Sequence, residues 1–257
     1  MGQPAENSIT FDSLFADKSY HIDNVETNPG CSLQIKFTYP AGFENREILE
    51  KLQRQFIRSF FGDTSHVTPA EASARYIENY INDFKEEEKE YQAEIKLHDV
   101  QPDRIWFTYE MSRSNEIIYN KAGLLSFAVH VSYYAGGAHG AHIIENCVLD
   151  IKTGQYILEN EIFADKYKEE LSRILVDEIV RMNDVKDARE LETIGFFDVN
   201  EIAPNRNFYV DGTGITYTFN EYEIAAYVVG AVSVQLPYDK IRHLLRREGP
   251  LAKIAFK

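Results

Sequence analysis

The first third of the chain changes from strand-like to helical hydrophobic spacing. Apolar and polar residues alternate over residues 32–39, which predicts a half-buried strand that ends at the Pro-Ala-Gly sequence of residues 40–42. From Glu44 onward, apolar residues recur at helical spacing up to a stop at Gly62. A second helix is predicted to begin at residues 68–71, because Thr-Pro-Ala-Glu combines an N-cap, a first-turn proline and a capping box.

The middle of the chain returns to the alternation of strands and predicts an antiparallel meander. A glycine-rich stretch, Gly136-Gly137-Ala138-His139-Gly140, interrupts it. Glycines in this position suit a tight chain reversal and equally suit a loop that lets a ligand approach the main chain, so both interpretations stay open. The predicted strands are residues 104–111, 115–120, 124–134 and 141–150, with residues 112–114 and 121–123 as connections.

The last third begins with helical spacing and ends with a hairpin signal. Because strands and helices are clustered and do not alternate, the pattern predicts an α+β fold, mainly antiparallel sheet with helices packed against it, in two closely associated lobes. Predicted elements are a helix from residue 165, a helical piece at 185–193, a hairpin at 207–219, a strand at 231–236 and a short helix at 237–245. Predicted domains are a tail or linker after a removed export signal (residues 1–19), an N-terminal lobe (20–122) and a C-terminal lobe with the glycine motif (123–257).

Charge narrows the choice of partners. The chain has 41 acidic and 27 basic residues and a formal net charge of -14. Its field opposes nonspecific attraction to phosphate backbones, so no nucleic-acid partner is predicted. The same field attracts cationic molecules, so a basic protein partner is favoured.

The sequence does not determine the compartment. No apolar run approaches the length of a membrane-spanning helix, and the N-terminus lacks the basic start and apolar centre of an export signal. A polar start also fits a chain from which a signal has been removed. Cys31 and Cys147 match no metal or redox spacing motif, and two buried thiols are favoured over a disulfide.

Histidines near the glycine stretch raise the question of a metal or cofactor site. The stretch lacks the lysine and the serine or threonine of a phosphate-binding loop. His130 lies several residues down the predicted ladder from His139 and His142, and there is no helical His-Glu-x-x-His pair. We therefore predict no metal and no cofactor, and expect His139 to form a hydrogen bond inside its own loop.

The sequence identifies no catalytic residue. There is no Gly-x-Ser-x-Gly nucleophile elbow, and with so many acidic residues the choice of Asp150 and Glu223 as an acid and base is arbitrary. Tyr222 and Tyr227 are open to two interpretations, as core rings with bonded hydroxyls or as an aromatic contact surface.

Several motifs in order resemble a bacterial envelope family of uncharacterised domains. This family includes the extracytoplasmic domain of the lysozyme-sensing anti-sigma-V factor and a domain fused to some peptidoglycan deacetylases. Residues 20–120 resemble the companion domain that commonly precedes it. The motifs that carry the resemblance are Tyr134 to Gly140, Asp150 to Gly154, Asn207-Phe208-Tyr209, Phe219 to Ala225 with Gly230, and Leu236-Pro237-Tyr238.

The resemblance implies an extracytoplasmic protein, a lipoprotein held at the membrane only through a lipid anchor on its precursor, in the periplasm or at the cell surface. It also implies a non-catalytic binding module that recognises lysozyme or another basic protein, or peptidoglycan fragments. The alternatives are a hydrolase or transferase acting on cell-wall glycan, with His139, Asp150 or Glu223 as acid or base, and a purely structural lipoprotein domain. The expected binding surface comprises Tyr134, Gly136, Gly137, His139, Gly140, Asp150, Tyr222 and Glu223.

Overall fold

The computed structural model describes residues 5–98 and 103–256 and has two sheets with helices packed around them. The predicted α+β class is confirmed. The strands are β1 (Thr10–His21), β2 (Gly30–Gly42), β3 (Tyr109–Lys121), β4 (Leu124–Ala135), β5 (Ala141–Asp150), β6 (Gln155–Tyr156), β7 (Phe208–Val210), β8 (Gly214–Phe219) and β9 (Val232–Pro237). The α-helices are α1 (Arg46–Phe61), α2 (Pro69–His98), α3 (Glu159–Ile162), α4 (Lys168–Met182), α5 (Ala188–Thr193), α6 (Tyr238–Ile241) and α7 (Ala252–Ala255).

The larger sheet has the strand order β1-β2-β3-β4-β5-β6, and the smaller one has the order β7-β8-β9. All neighbours are antiparallel except β2 and β3, which are parallel. A parallel pair requires a long crossover connection, and α1 and α2 supply it here. The expectation of a mainly antiparallel sheet is confirmed, with this one parallel pair.

Strands β4 and β5 are shared between two hydrophobic cores. Phe127 of β4 stacks on Phe56 of α1, with ring centroids 3.9 Å apart, in the core of the N-terminal half. On the other face, the Ser126 hydroxyl donates a 2.7 Å hydrogen bond to the Val210 carbonyl of β7, beside the core formed with α4 and the smaller sheet. The expected lobe boundary at residues 122 and 123 falls in the β3–β4 turn, so the larger sheet contains strands from both sides of it.

Local signals placed both long helices correctly. Helix α1 ends at Gly62, which has a left-handed φ of 71°. The Thr68 backbone NH donates to the Glu71 carboxylate at 2.8 Å, and the Glu71 NH donates to the Thr68 hydroxyl at 3.3 Å, so the predicted capping box is present. Each described helix is either too short or too polar to span a bilayer. Cys31 and Cys147 are buried free thiols, as expected.

Two sequence-based expectations were wrong. Residues 10–19, expected within a tail, form most of β1; this edge strand pairs its backbone with β2 although its side chains, including the exposed Phe15, give little core-forming pattern. Residues 104–111 are a 3₁₀ turn (Arg104–Phe107) followed by the start of β3, and residues 112–114 lie inside that strand. Backbone pairing with β2 and β4 on both sides holds this polar segment extended, whatever its side chains.

Candidate functional site

The glycine stretch forms the loop between β4 and β5. Gly136 and Gly137 have φ values of 76° and 93°, a region that residues with side chains rarely adopt. A Cβ atom on Gly136 would lie 2.8 Å from the Trp106 carbonyl oxygen. The Tyr134 hydroxyl donates a 2.8 Å hydrogen bond to the Gly137 carbonyl. These residues therefore reverse the chain in close contact with the 3₁₀ turn that contains Trp106.

His139 belongs to a group of three rings at the surface. Its Nδ1 lies 2.8 Å from the Gly140 carbonyl oxygen, so Nδ1 carries the hydrogen, and the expected bond inside the loop is confirmed. Its ring stacks on Tyr227, with centroids 4.1 Å apart and planes inclined by 24°. The Tyr222 hydroxyl lies 3.4 Å from His139 Nε2, which accepts in the neutral ring. We call His139, Tyr222 and Tyr227 the ring cluster.

Tyr222 is presented to solvent by an unusual backbone. Its φ is 64°, which is rare for a bulky residue, and its side chain is 56% exposed. Around it, the Asn220 NH donates to the Glu223 carboxylate at 2.8 Å, and the Glu223 NH donates to the Asn220 carbonyl at 3.0 Å. Such left-handed strain costs on the order of 1–3 kcal/mol and persists only where surrounding contacts maintain it. The turn thus holds an exposed ring in a fixed place.

Two asparagine side chains attach the C-terminal segment to the free edge of β5. The Asn220 side chain accepts from the Ile144 NH at 2.8 Å and donates to the Ile144 carbonyl at 3.1 Å. The Asn207 side chain accepts from the Asn146 NH at 2.8 Å and donates to the same Ile144 carbonyl at 2.8 Å. These side chains satisfy β5 backbone groups as a neighbouring strand would. The asparagines of two of the sequence motifs therefore connect the two sheets.

The carboxylates near the ring cluster are engaged in hydrogen bonds. Glu221 accepts from the His142 backbone NH at 3.1 Å, and its other oxygen lies 2.9 Å from His142 Nδ1. Glu223 accepts from the Asn205 side-chain amide at 2.6 Å in addition to the Asn220 NH. Both groups therefore stabilise the turn that carries Tyr222.

The three side chains considered as an acid or base do not converge. Asp150 accepts from the Lys152 NH at 2.8 Å in the turn after β5. In the β4–β5 ladder Asp150 pairs with Leu124, whereas His142 pairs with Ser132 at the other end. Eight residues of strand place Asp150 roughly 26 Å from the end of β5 that carries the glycine loop.

The described residues contain no group of three or more histidine, cysteine or acidic side chains that could hold a metal ion. The three histidines considered for zinc have separate partners. His130 Nε2 lies 3.3 Å from Glu116, His142 contacts Glu221, and His139 contacts its own loop.

A cleft of about 570 Å³ lies between the two lobes, bordered by α1, β5, β6 and the start of α3 and α4. We call it the interlobe cleft. On its wall the Ser59 hydroxyl lies 2.6 Å from the Tyr156 hydroxyl and 3.3 Å from the Cys147 sulfur. Burial raises the pKa of the Cys147 thiol to about 12, so the thiol is protonated near neutral pH and is a poor nucleophile.

The sequence did not predict two features of the structure: the exposed Trp106 and the cationic lining of the interlobe cleft. Trp106, the one tryptophan of the chain, is 59% exposed beside the glycine loop, although the sequence pattern predicts a strand there. The cationic residues of the interlobe cleft, Arg58, Lys168 and Arg206, are too far apart in the sequence to form a motif. Trp106 gave no local signal of its own, because it lies between Ile105 and Phe107 in a strand-like run, and the cleft gave none either.

Comparison with known proteins gives two family-model matches. Residues 26–142 match the model described as "Deacetylase PdaC", and residues 160–239 match "Protein of unknown function (DUF3298)". No curated protein matches the chain.

Two solved structures share the fold. A DUF3298 family member from Bacteroides fragilis NCTC 9343 is 26% identical, with a TM-score of 0.90 over 98% of this chain and 99% of that chain. A DUF3298 family protein from Pseudomonas aeruginosa PAO1 is 12% identical, with a TM-score of 0.65 over 94% of this chain and 96% of that chain, which is a likeness of fold alone. Together the matches support a DUF3298 family domain, of unknown function, in this chain.

Proposed function

We propose that the chain is a non-catalytic binding module of the cell envelope and that the ring cluster is its recognition surface. The match of residues 26–142 to a deacetylase model supports an extracytoplasmic, cell-wall-related context. The observation that carries the proposal is Tyr222, an exposed ring on a left-handed backbone. Strained residues of this kind concentrate at functional sites, where the surrounding structure maintains them.

The chemistry of the surface favours a cationic partner. Aromatic faces attract ammonium and guanidinium groups, and tyrosine is enriched at protein interfaces. The net charge of -14 accelerates encounter with a basic protein. Val228, next to Tyr227, is 87% exposed and extends the apolar contact area. A basic protein is therefore the favoured ligand, and lysozyme is the first candidate because the sequence resembles a lysozyme-sensing domain.

Binding without turnover is favoured because the polar groups around the rings already have partners. Glu221 and Glu223 hold the turn, and the acceptor nitrogen of His139, Nε2, faces the Tyr222 hydroxyl at 3.4 Å. A general base needs a free acceptor within hydrogen-bond reach of the proton that it removes. The surface therefore offers contact area in preference to acid–base groups.

The test is a titration of the purified protein with a c-type lysozyme at low salt and at roughly 0.15 M salt, where charges are screened beyond about 8 Å. We expect micromolar or tighter binding that persists at the higher salt. Tyr222→Ala should weaken it about tenfold or more, as expected for an aromatic hot spot. Phe15→Ala is the matched control, because Phe15 is also an exposed aromatic residue (71%) but lies on edge strand β1.

Absence of binding, or binding only at low salt, would overturn the lysozyme assignment. Peptidoglycan fragments would then be tested against the same two variants. Equal loss in Tyr222→Ala and Phe15→Ala would remove the ring cluster as the recognition surface.

A further inference from the structure

Three cationic side chains line the interlobe cleft. Arg58 extends from α1, Lys168 begins α4, and Arg206 lies just before β7, and all three are exposed. Among the described residues, none of the three side chains forms a hydrogen bond or ion pair. Three cations outside any ion pair therefore face one cleft of a chain whose net charge is -14.

Two carboxylates also face this cleft, and neither neutralises the cations directly. Glu159 is 5% exposed, and its oxygens accept hydrogen bonds from the Arg206 backbone NH at 3.0 Å and the Tyr167 hydroxyl at 2.9 Å. Glu145 forms no ion pair with Arg58, Lys168 or Arg206. Partial burial raises the pKa of the Glu145 carboxyl group, against the opposing influence of Arg113 and Arg58. The three cationic side chains of the cleft lining therefore outnumber its two carboxylates.

The same cleft has an apolar floor. Val148, Ile157 and Phe208 line it and are buried, and Leu158 lines it with its side chain 55% exposed. A volume of about 570 Å³ falls within the roughly 300–1,000 Å³ that small-molecule sites occupy. Apolar lining with a few convergent charged groups is the usual composition of such sites.

We propose that the interlobe cleft binds a small amphipathic anion. Arg58, Lys168 and Arg206 hold its carboxylate or phosphate group, and its apolar part lies against Phe208 and Leu158. Guanidinium groups suit both oxyanions because their parallel NH donors match the oxygen spacing. Arg58 belongs to one lobe and Arg206 to the other, so a bound anion also bridges the two lobes. This site is separate from the ring cluster and does not depend on it.

The test compares three probes of equal chain length by isothermal titration calorimetry: hexanoate, hexyl phosphate and hexanol. We expect at least one anion to bind, with the uncharged alcohol about tenfold weaker or more, because charge-assisted bonds supply the discrimination. Tighter binding of hexanoate would assign a carboxylate ligand, and tighter binding of hexyl phosphate would assign a phosphate ligand.

Arg58→Gln and Arg206→Gln should each weaken binding of the better anion about fivefold or more. Arg173→Gln is the matched control: it removes the same charge from an exposed position of α4 that does not line the cleft. Circular dichroism verifies that each variant is folded. The proposal is overturned if neither anion binds at millimolar concentration, if hexanol binds as well as the anions, or if the control loses as much affinity as the cleft variants.

Discussion

The imidazole of His139 stacks on the phenol ring of Tyr227, with ring centroids 4.1 Å apart, and so connects the glycine loop to the segment that follows β8. Tyr227 is partly buried in this contact, whereas Tyr222 extends further into solvent. Tyr227 thus supports the glycine loop, and Tyr222 is available to a ligand.

This difference predicts unequal effects of the two substitutions on stability. Tyr227→Ala should lower the free energy of unfolding by about 1–2 kcal/mol, because it removes a stacked aromatic contact. Tyr222→Ala should change it by no more than about 0.5 kcal/mol, as is usual for an exposed side chain. Urea denaturation of both variants checks this, and a larger loss in Tyr222→Ala would show that Tyr222 has a supporting role.

Gly136→Ala should be strongly destabilising. The residue has a φ of 76°, and an added Cβ would lie 2.8 Å from the Trp106 carbonyl oxygen. We expect a loss of about 3 kcal/mol, from left-handed strain plus displacement of the Trp106 turn. Gly62→Ala is the control, because Gly62 has a φ of 71° with open space around its Cα. It should lose only about 1 kcal/mol, the cost of the left-handed backbone alone. Equal losses in denaturant unfolding would show that the contact with Trp106 has no energetic effect.

Tyr119 and Tyr238 allow a comparison of how much a buried tyrosine hydroxyl contributes to stability without and with a hydrogen bond. Both side chains are buried, but among the described residues the Tyr119 hydroxyl has no hydrogen-bond partner, whereas Tyr238 donates to the Asp211 carbonyl at 2.8 Å. Tyr119→Phe should therefore leave stability unchanged or raise it by up to about 1 kcal/mol. Tyr238→Phe should lower it by about 1 kcal/mol. The reverse order in thermal unfolding would contradict this assignment.

Alkaline pH should destabilise the fold through its tyrosines. A hydrogen bond to Glu88 raises the pKa of Tyr20 to about 12, and burial raises the pKa of Tyr217 well above its ordinary value. Because the folded-state pKa values exceed the unfolded value of about 10, this stability is complete below about pH 10 and is lost as the pH rises through the folded-state values. Urea midpoints measured from about pH 9 to 12 should fall accordingly.

Tyr20→Phe provides the control for this pH dependence. The variant lacks the 2.7 Å hydrogen bond to Glu88 and the titrating phenol. At about pH 9 the variant should be less stable than the parent protein. Between about pH 10 and 12 it should lose less stability than the parent protein does. An unchanged slope would mean that other tyrosines account for the whole effect.

The sequence by itself determined the elements that depend on nearby residues. Gly62 ended α1, Thr68 and Glu71 began α2, and the glycine turn at residues 211–214 identified the β7–β8 hairpin. These signals involve caps and turns whose interacting groups lie within a few positions of one another. The α+β class followed from the order of such elements.

Only the tertiary structure decided the pairings between distant segments. Backbone hydrogen bonds, which are the same for any side chain, determine strand β1, the parallel β2–β3 pair and the continuity of β3. The alternation of apolar and polar residues therefore did not reveal these features. His139 meets Tyr222 across 83 positions only because Asn220 attaches its turn to the edge of β5. The cations of the interlobe cleft come together for the same reason. They are distant in the sequence, and the packing of the two lobes on one shared sheet brings them close, so no local motif could predict them.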